Sequence, residues 1–224
     1  MSRSDFDTRV DQLIRLVRKP APQGVFNPWR DRHEELDLPR AAKIRSDNLA
    51  HYLRAHRGAQ AVLVGEAAGW AGCRFTGIPF TGENLLAGSE ALEWTAGLPL
   101  RRSSTRETPY KERSATVVWG EIGGDRRIVL WNAVPWHPHR PGEPLTNRKP
   151  TRSDQEAGRV ILMKYLEIFD QAQPVAIGRV SQEVLGKMGI EAEYIRHPSM
   201  GGHHRFRQGV RQLRGELTPP SPVR

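Results

Sequence analysis

The sequence predicts an α/β fold: a three-layer sandwich whose central, mainly parallel four-stranded sheet carries helices on both faces. Short β-rich apolar runs recur at residues 61–64, 128–131, 174–177 and 193–196. Segments with apolar residues at helical spacing lie between them. Strands that alternate with helices in this way pair in parallel and are covered by their crossover helices. Three of the runs lead straight into Gly65, Asn132 and His197. Parallel strands align their carboxyl ends on one sheet edge, where ligand crevices open, so a backbone turn, an amide and an imidazole are expected around one pocket.

Along the chain, Ser4 is placed to cap a first helix, with Phe6, Val10, Leu13, Ile14 and Val17 on one face. Pro20-Ala21-Pro22-Gln23-Gly24 ends it, and the stretch to Leu38 reads as loop. A second helix is predicted over about 39–56, with Pro39 in its first turn and Gly58 just past its end. After the strand at 61–64, glycine is frequent from Gly65 to Gly88, a long loop over the top of the sheet. Arg101, Arg102, Arg106, Lys111 and Arg113 surround Ser103-Ser104-Thr105 in the pattern of an exposed basic loop. Thr116-Val117-Val118-Trp119 fits a strand or a short helix. Gly123-Gly124-Asp125 turns into the strand that ends at Asn132, and five prolines from Pro135 to Pro150 make the next stretch irregular. Ser153-Asp154-Gln155-Glu156 has the form of a capping box that opens a helix through about Asp170. A strand at 174–178, a helix capped by Ser181 and stopped near Gly189, and a last strand lead to His197. Phe206, Val210 and Leu213 mark a short basic helix, and a disordered tail is expected from Thr218. The chain therefore reads as one domain over 1–217, with N-terminal helices in 1–58, a core in 59–217 and a flexible tail at 218–224.

A chain of 224 residues is long enough to bury a sizeable core. No apolar run approaches the roughly 20 residues of a membrane span, and Met1-Ser2-Arg3-Ser4-Asp5-Phe6 lacks a signal-peptide apolar core, so an intracellular protein away from membranes is expected. The 34 basic residues against 25 acidic give a net charge of +9 before histidine. That excess favours a polyanionic partner, because neutralising phosphates releases counterions. The plainer alternative is an arginine-rich, solvated surface. A single cysteine, Cys73, excludes a disulfide within the monomer and a four-thiolate iron–sulfur cluster.

Each candidate site residue has a structural reading beside a functional one. Gly65-Glu66-Ala67-Ala68-Gly69 is either the tight turn that leaves a strand, or a turn whose N–H groups point at a carbonyl or anion. It has neither the dinucleotide nor the P-loop spacing. Phe80, in a glycine-rich loop, is a core plug or a stacking platform. Asn132 ends a buried strand, where its amide is satisfied by loop backbone or offers a ligand one donor and one acceptor together. His197 is a structural strand-end histidine or a donor aimed at charge developing on a substrate, in either protonation state. Met200, before Gly201-Gly202, reads as part of an ordinary flexible turn. His137, His139, His203 and His204 form two close pairs without acidic or cysteine partners at a zinc spacing, so no metal is expected.

Gly65-Glu66-Ala67-Ala68-Gly69, Thr76-Gly77-Ile78-Pro79-Phe80-Thr81-Gly82, Asn132, Asn147-Arg148-Lys149-Pro150 and His197-Pro198-Ser199 occur in this order. Together they resemble the uracil-DNA glycosylase superfamily, nearest the branch with a Gly-Glu-Ala-Pro-Gly first motif, over roughly residues 61–208. The resemblance implies that Gly65 and Ala67 contact the excised base, Phe80 stacks on it, Asn132 recognises it, and His197 and Glu66 are catalytic. Ser199, Met200 and Gly201 would enter the minor groove, with Met200 filling the space of the extruded nucleotide, while Ser199, His203, His204, Arg205 and Arg207 reach phosphates. Asn147-Arg148 would brace the pocket. Ala67 stands where the best-known members carry a water-positioning aspartate, Ala68 replaces the branch's proline, and the iron–sulfur cysteines of several of its members are missing, so no cofactor is expected. A carboxylate is left to come from Glu66 or from Glu83. The implied protein is a monofunctional glycosylase, monomeric, cytoplasmic and nucleoid-associated, that removes uracil from single- or double-stranded DNA with water rather than with Lys149 or Lys111. A binding protein without turnover and a nucleoside hydrolase are the alternatives.

Overall fold

The structure, a computed structural model, describes residues 1–219. The expected tail falls partly outside the described residues; Thr218 lies inside them and is held, its carbonyl accepting Gln60 Nε2 and Arg127 Nη1, each at 3.1 Å. The elements in order are α1 (Arg3–Val17), β1 (Val25–Phe26), α2 (Ala41–Ala55), β2 (Ala61–Ala67), α3 (Cys73–Thr76), α4 (Arg113–Ile122), β3 (Ile128–Val134), β4 (His137–Pro138), α5 (Arg152–Ile168), β5 (Gln173–Ile177), α6 (Arg179–Lys187), β6 (Glu193–Ile195) and α7 (His203–Glu216). Four strands form one parallel sheet in the order β3-β2-β5-β6, and β1 and β4 make a small antiparallel ribbon.

The path from β2 to β3 steps one way across the sheet, while those from β3 to β5 and from β5 to β6 step the other way. Right-handed crossovers then put α4 on one face and α5 and α6 on the opposite one. α7 packs with α4 and α1 with α5, which completes the expected three-layer sandwich. The middle strands read as continuous apolar runs because both faces are covered, and every residue of β3 is buried. β3 is an edge strand, and its outward backbone is met by side chains: Leu130 N–H donates to the Tyr52 hydroxyl at 2.6 Å, and Leu130 C=O accepts the Tyr165 hydroxyl at 2.9 Å. Trp131 stacks between Trp29 and Tyr165, with ring centroids 5.8 and 4.1 Å away.

Several boundaries differ from the expectation. The cap of α1 is Ser2, not Ser4, in a reciprocal box with Asp5. Thr151, not Ser153, caps α5 in the same way with Asp154. α6 begins after Gly178, and the Ser181 hydroxyl instead donates back to Ile177 C=O at 2.6 Å. Thr116-Val117-Val118-Trp119 is helical, inside α4, because Ala115, Val118, Trp119 and Ile122 form one buried face.

The stretch expected to be a loop over the sheet is buried almost throughout from Ala71 to Leu86 and contains α3 and a 3₁₀ turn at Glu83–Leu85. A charged cluster fixes it from below: Asp37 lies 2.6 Å from Arg74 and 3.2 Å from Arg45, all three fully buried. The basic loop is likewise not free. Glu83 accepts the N–H groups of Ser103 and Ser104 at 2.9 Å each and the Ser104 hydroxyl at 2.6 Å, so the loop wraps a buried carboxylate.

Candidate active site

At the carboxyl edge of the sheet two cavities adjoin. The smaller, about 520 Å³, is walled by Glu66, Ala67, Phe80, Glu112, Lys149 and His197 among others. The larger, about 750 Å³, runs between Trp70, Glu112, Ser199, Met200 and His203. Gly69, Glu112, Ser114, Asn147 and His197 line both, so they form one cleft.

β2 runs on through Gly65 and Glu66 to Ala67, and Ala68 N–H still donates to Val134 C=O at 3.3 Å. The turn therefore falls at Gly69–Gly72, later than the sequence pattern indicates. Trp70 N–H is held by Asn147 Oδ1 at 3.0 Å. Gly69 N–H is left without an acceptor among the described residues, at the junction of the two cavities. Arg148 joins Gly24 C=O at 2.8 Å to Asp154 at 2.7 Å, so the Asn147-Arg148 pair does brace this wall.

Gly65, Phe80 and Asn132 meet. A Cβ built on Gly65 would lie 2.2 Å from the tip of the Phe80 ring and 3.0 Å from Asn132 Oδ1, so only glycine admits both neighbours. Phe80 sits at φ +52°, a left-handed conformation that is strained for a phenylalanine. It is held there by Trp119 Nε1, which donates to Phe80 C=O at 2.9 Å. Asn132 is buried and its Oδ1 has no hydrogen-bond partner. It stands behind Phe80 and is not part of the cavity wall. The sequence expectation that Asn132 lines the pocket is therefore not met in this geometry.

His197 faces Phe80 with ring centroids 6.3 Å apart. Its Nδ1 accepts the N–H of Ser199 at 3.1 Å and lies 2.8 Å from the Ser199 hydroxyl. A nitrogen that accepts a backbone N–H carries no proton, so the ring is neutral and its one N–H is at Nε2. Burial, aided by the charge of Arg196, also pushes the imidazole below its ordinary value.

The rest of the expected constellation divides. Met200 is 93% exposed at φ +51°, at the tip of the loop that Gly201 continues at φ +75°. Arg205 is not on the cleft; it lines a separate groove with Arg179, Tyr194 and Arg196. Arg207 is paired with Glu121 at 2.9 Å rather than free for phosphate. Of the two carboxylates left open by the sequence, Glu83 is consumed by the Ser103-Ser104 loop. Glu66 is on the cavity wall, raised by burial and held back by the charge of Lys149. Sequence reasoning missed Glu112, which lines both cavities and whose carboxyl is pushed up to about 7 by burial. Its only sequence signal is an acid between Lys111 and Arg113 at the start of a helix.

Among the described residues no three His, Cys, Asp or Glu side chains form a metal-binding group, and no helix is long and apolar enough to cross a membrane. No family model matches the sequence, and no curated protein matches it. The fold does match solved structures. Wild-type SMUG2 of Pedobacter heparinus superposes with a TM-score of 0.61 at 13% identity, over 94% of this chain and 97% of that one.

Proposed function

We propose that the protein is a monofunctional DNA glycosylase that flips uracil, or a related deaminated base, out of DNA and hydrolyses its N-glycosidic bond. The observation that carries this reading is the His197–Ser199 arrangement, which leaves one Nε2–H free at a cleft walled by an aromatic ring. Cleaving the bond leaves negative charge on the base and oxocarbenium character on the sugar. A preorganised donor aimed at that base charge is worth about 2.7–4 kcal/mol. Phe80 supplies a stacking face, worth about 1–3 kcal/mol per base, and Asn132 an unspent acceptor for discrimination. The fold shared with SMUG2, a member of the uracil-DNA glycosylase superfamily, supports a glycosylase of this wider group.

In this reading the exposed, strained Met200 is the wedge that fills the vacated stack. The substrate is single- or double-stranded DNA carrying uracil, and a monomer acts on it in the cytoplasm, without metal or cluster. Ala67, which brings no carboxylate to the first motif, is the feature that favours the second reading, a nucleic-acid-binding protein without turnover.

The test is an end-labelled oligonucleotide with one uracil, single-stranded or opposite G or A, treated with protein and then with alkali. Strand cleavage that drops sharply in His197→Ala and Asn132→Ala is the expected result. Bound but uncleaved DNA would sink uracil excision and leave another deaminated base or the binding protein.

A further inference from the structure

Glu112 occupies the N-cap position of α4, yet its side chain makes no capping hydrogen bond. An acid there ordinarily accepts the free N–H groups of the first turn and is stabilised by the helix dipole. Here the carboxylate turns the other way, onto the backbone of the Gly69–Gly72 turn. A Cβ on Gly72 would fall 1.9 Å from Oε2, and one on Gly69 2.5 Å from Oε1, so both glycines make room for it. Oε1 accepts the Ser114 hydroxyl at 3.0 Å, whereas Oε2 is buried with no partner. Burying an unpartnered carboxylate oxygen destabilises the fold, and no contact around it offsets that cost.

The residue shares the smaller cavity with Glu66, Phe80 and His197. Its charged and titratable neighbours are Lys111 and Arg113 in sequence, Cys73 from α3, Glu66, Lys149 and His197 across the cleft, and His203 in the larger cavity. Lys111 is engaged with Glu90 at 2.5 Å, and no guanidinium or ammonium is paired with Glu112 among the described residues. Glu83 is spent on the Ser103-Ser104 loop, and Glu66 feels Lys149. Glu112 is thus a carboxylate lining both cavities whose Oε1, beside Gly69 and Ser114, accepts one hydrogen bond and has no cation paired with it among the described residues.

Building on the glycosylase reading, we infer that Glu112 is the carboxylate that holds the attacking water and takes its proton. The water oxygen bonds to the anomeric carbon as the bond from that carbon to the base nitrogen breaks. The electron pair leaves with the base, whose charge is met by His197 Nε2–H. The water's proton goes to Glu112, which returns it to the departing base as the products leave. A base of this kind works best when it titrates near the operating pH, and the environment of Glu112 supplies that.

The experiment is single-turnover excision from a single-stranded uracil oligonucleotide, followed from about pH 5 to about pH 9 for the full-length wild type, Glu112→Gln, Glu112→Asp and Glu66→Gln. Glu112→Gln is expected to slow excision by about 10²–10⁴-fold, with DNA affinity held within about twofold. The wild-type rate should rise with pH through a limb near 7, the value of the Glu112 carboxyl, and this limb should vanish in Glu112→Gln. Glu112→Asp, slower but still a carboxylate, should keep the limb, as should Glu66→Gln. A wild type without that limb overturns the assignment even when Glu112→Gln does not fold. So does a folded Glu112→Gln of wild-type rate, or loss of the limb in Glu66→Gln. A wild type inactive on every uracil substrate sinks the uracil-excision reading, and the assignment of Glu112 as its base with it.

Discussion

His197 and Ser199 lock each other: the N–H of Ser199 points at Nδ1 from 3.1 Å, and the Ser199 hydroxyl lies 2.8 Å from the same nitrogen. The backbone contact alone fixes the tautomer. Ser199→Ala keeps that N–H and loses a bond worth about 1 kcal/mol, so excision should slow by about fivefold. His197→Ala removes the donor itself and should cost about 10²–10³-fold. Single-turnover rates on one uracil oligonucleotide compare the two. Equal losses would mean that the hydroxyl, not the backbone, sets the ring.

Gly65→Ala tests the contact beneath Phe80. The new methyl group would meet the ring at 2.2 Å, and the strained loop has little slack. Overpacking of this kind costs about 1–3 kcal/mol. Urea unfolding should show that loss, and Phe80→Ala in the same chain should recover part of it through a positive coupling.

Glu83→Ala should be severe for stability and mild for chemistry. It orphans the N–H groups of Ser103 and Ser104 and the Ser104 hydroxyl in a buried setting. Removing the centre of such a network costs about 3–5 kcal/mol. Excision per folded molecule, measured well below the unfolding transition, should stay within about threefold of wild type.

Acid should destabilise the fold before the surface carboxylates titrate. His56 and His137 are buried neutral, pushed down to about 4 and about 3 by desolvation. As pH falls below 6.5, the ordinary value of histidine, the unfolded chain takes up protons that these rings refuse. Each then subtracts up to about 1.4 kcal/mol per pH unit. Glu112 has the opposite sign: raised to about 7, its folded carboxyl binds a proton between about 7 and 4.5 that the unfolded chain does not, and so it adds stability there. Between about pH 6 and pH 4.5 the wild type should lose stability on acidification, and Glu112→Gln should lose it more steeply. Denaturant titrations at stepped pH would show equal slopes if Glu112 were ionised throughout.

The strands were legible because apolar, β-branched runs bounded by glycine mark buried parallel strands, and all four lie where expected. The caps of α1 and α5 were misplaced because each helix carries two overlapping boxes, and the upstream Ser2 and Thr151 won. α4 was ambiguous because Thr116, Val117 and Val118 favour strands locally, and only the tertiary face built on Trp119 decides for helix. Of the candidate site residues, Phe80, in a glycine loop, and His197, after an apolar run, do line the cleft, whereas Gly65 and Asn132 lie inside β2 and β3, against Phe80 rather than on the wall. Glu112 was not legible, since its meaning depends on two glycines that come far earlier in the chain and leave a hollow for it.

The two tyrosine hydroxyls on Leu130 also bear on how this chain behaves in company. An edge strand with bare N–H and C=O groups is a template on which another chain can add a strand. Tyr52 and Tyr165 occupy that template from two different helices, so the long edge of the sheet is closed to recruitment. The opposite edge, β6, is only three residues long. A crowded cell therefore offers this sheet little chance to grow into an aggregate, and Tyr→Phe changes at the two sites would leave the edge covered but its Leu130 N–H and C=O buried without partners.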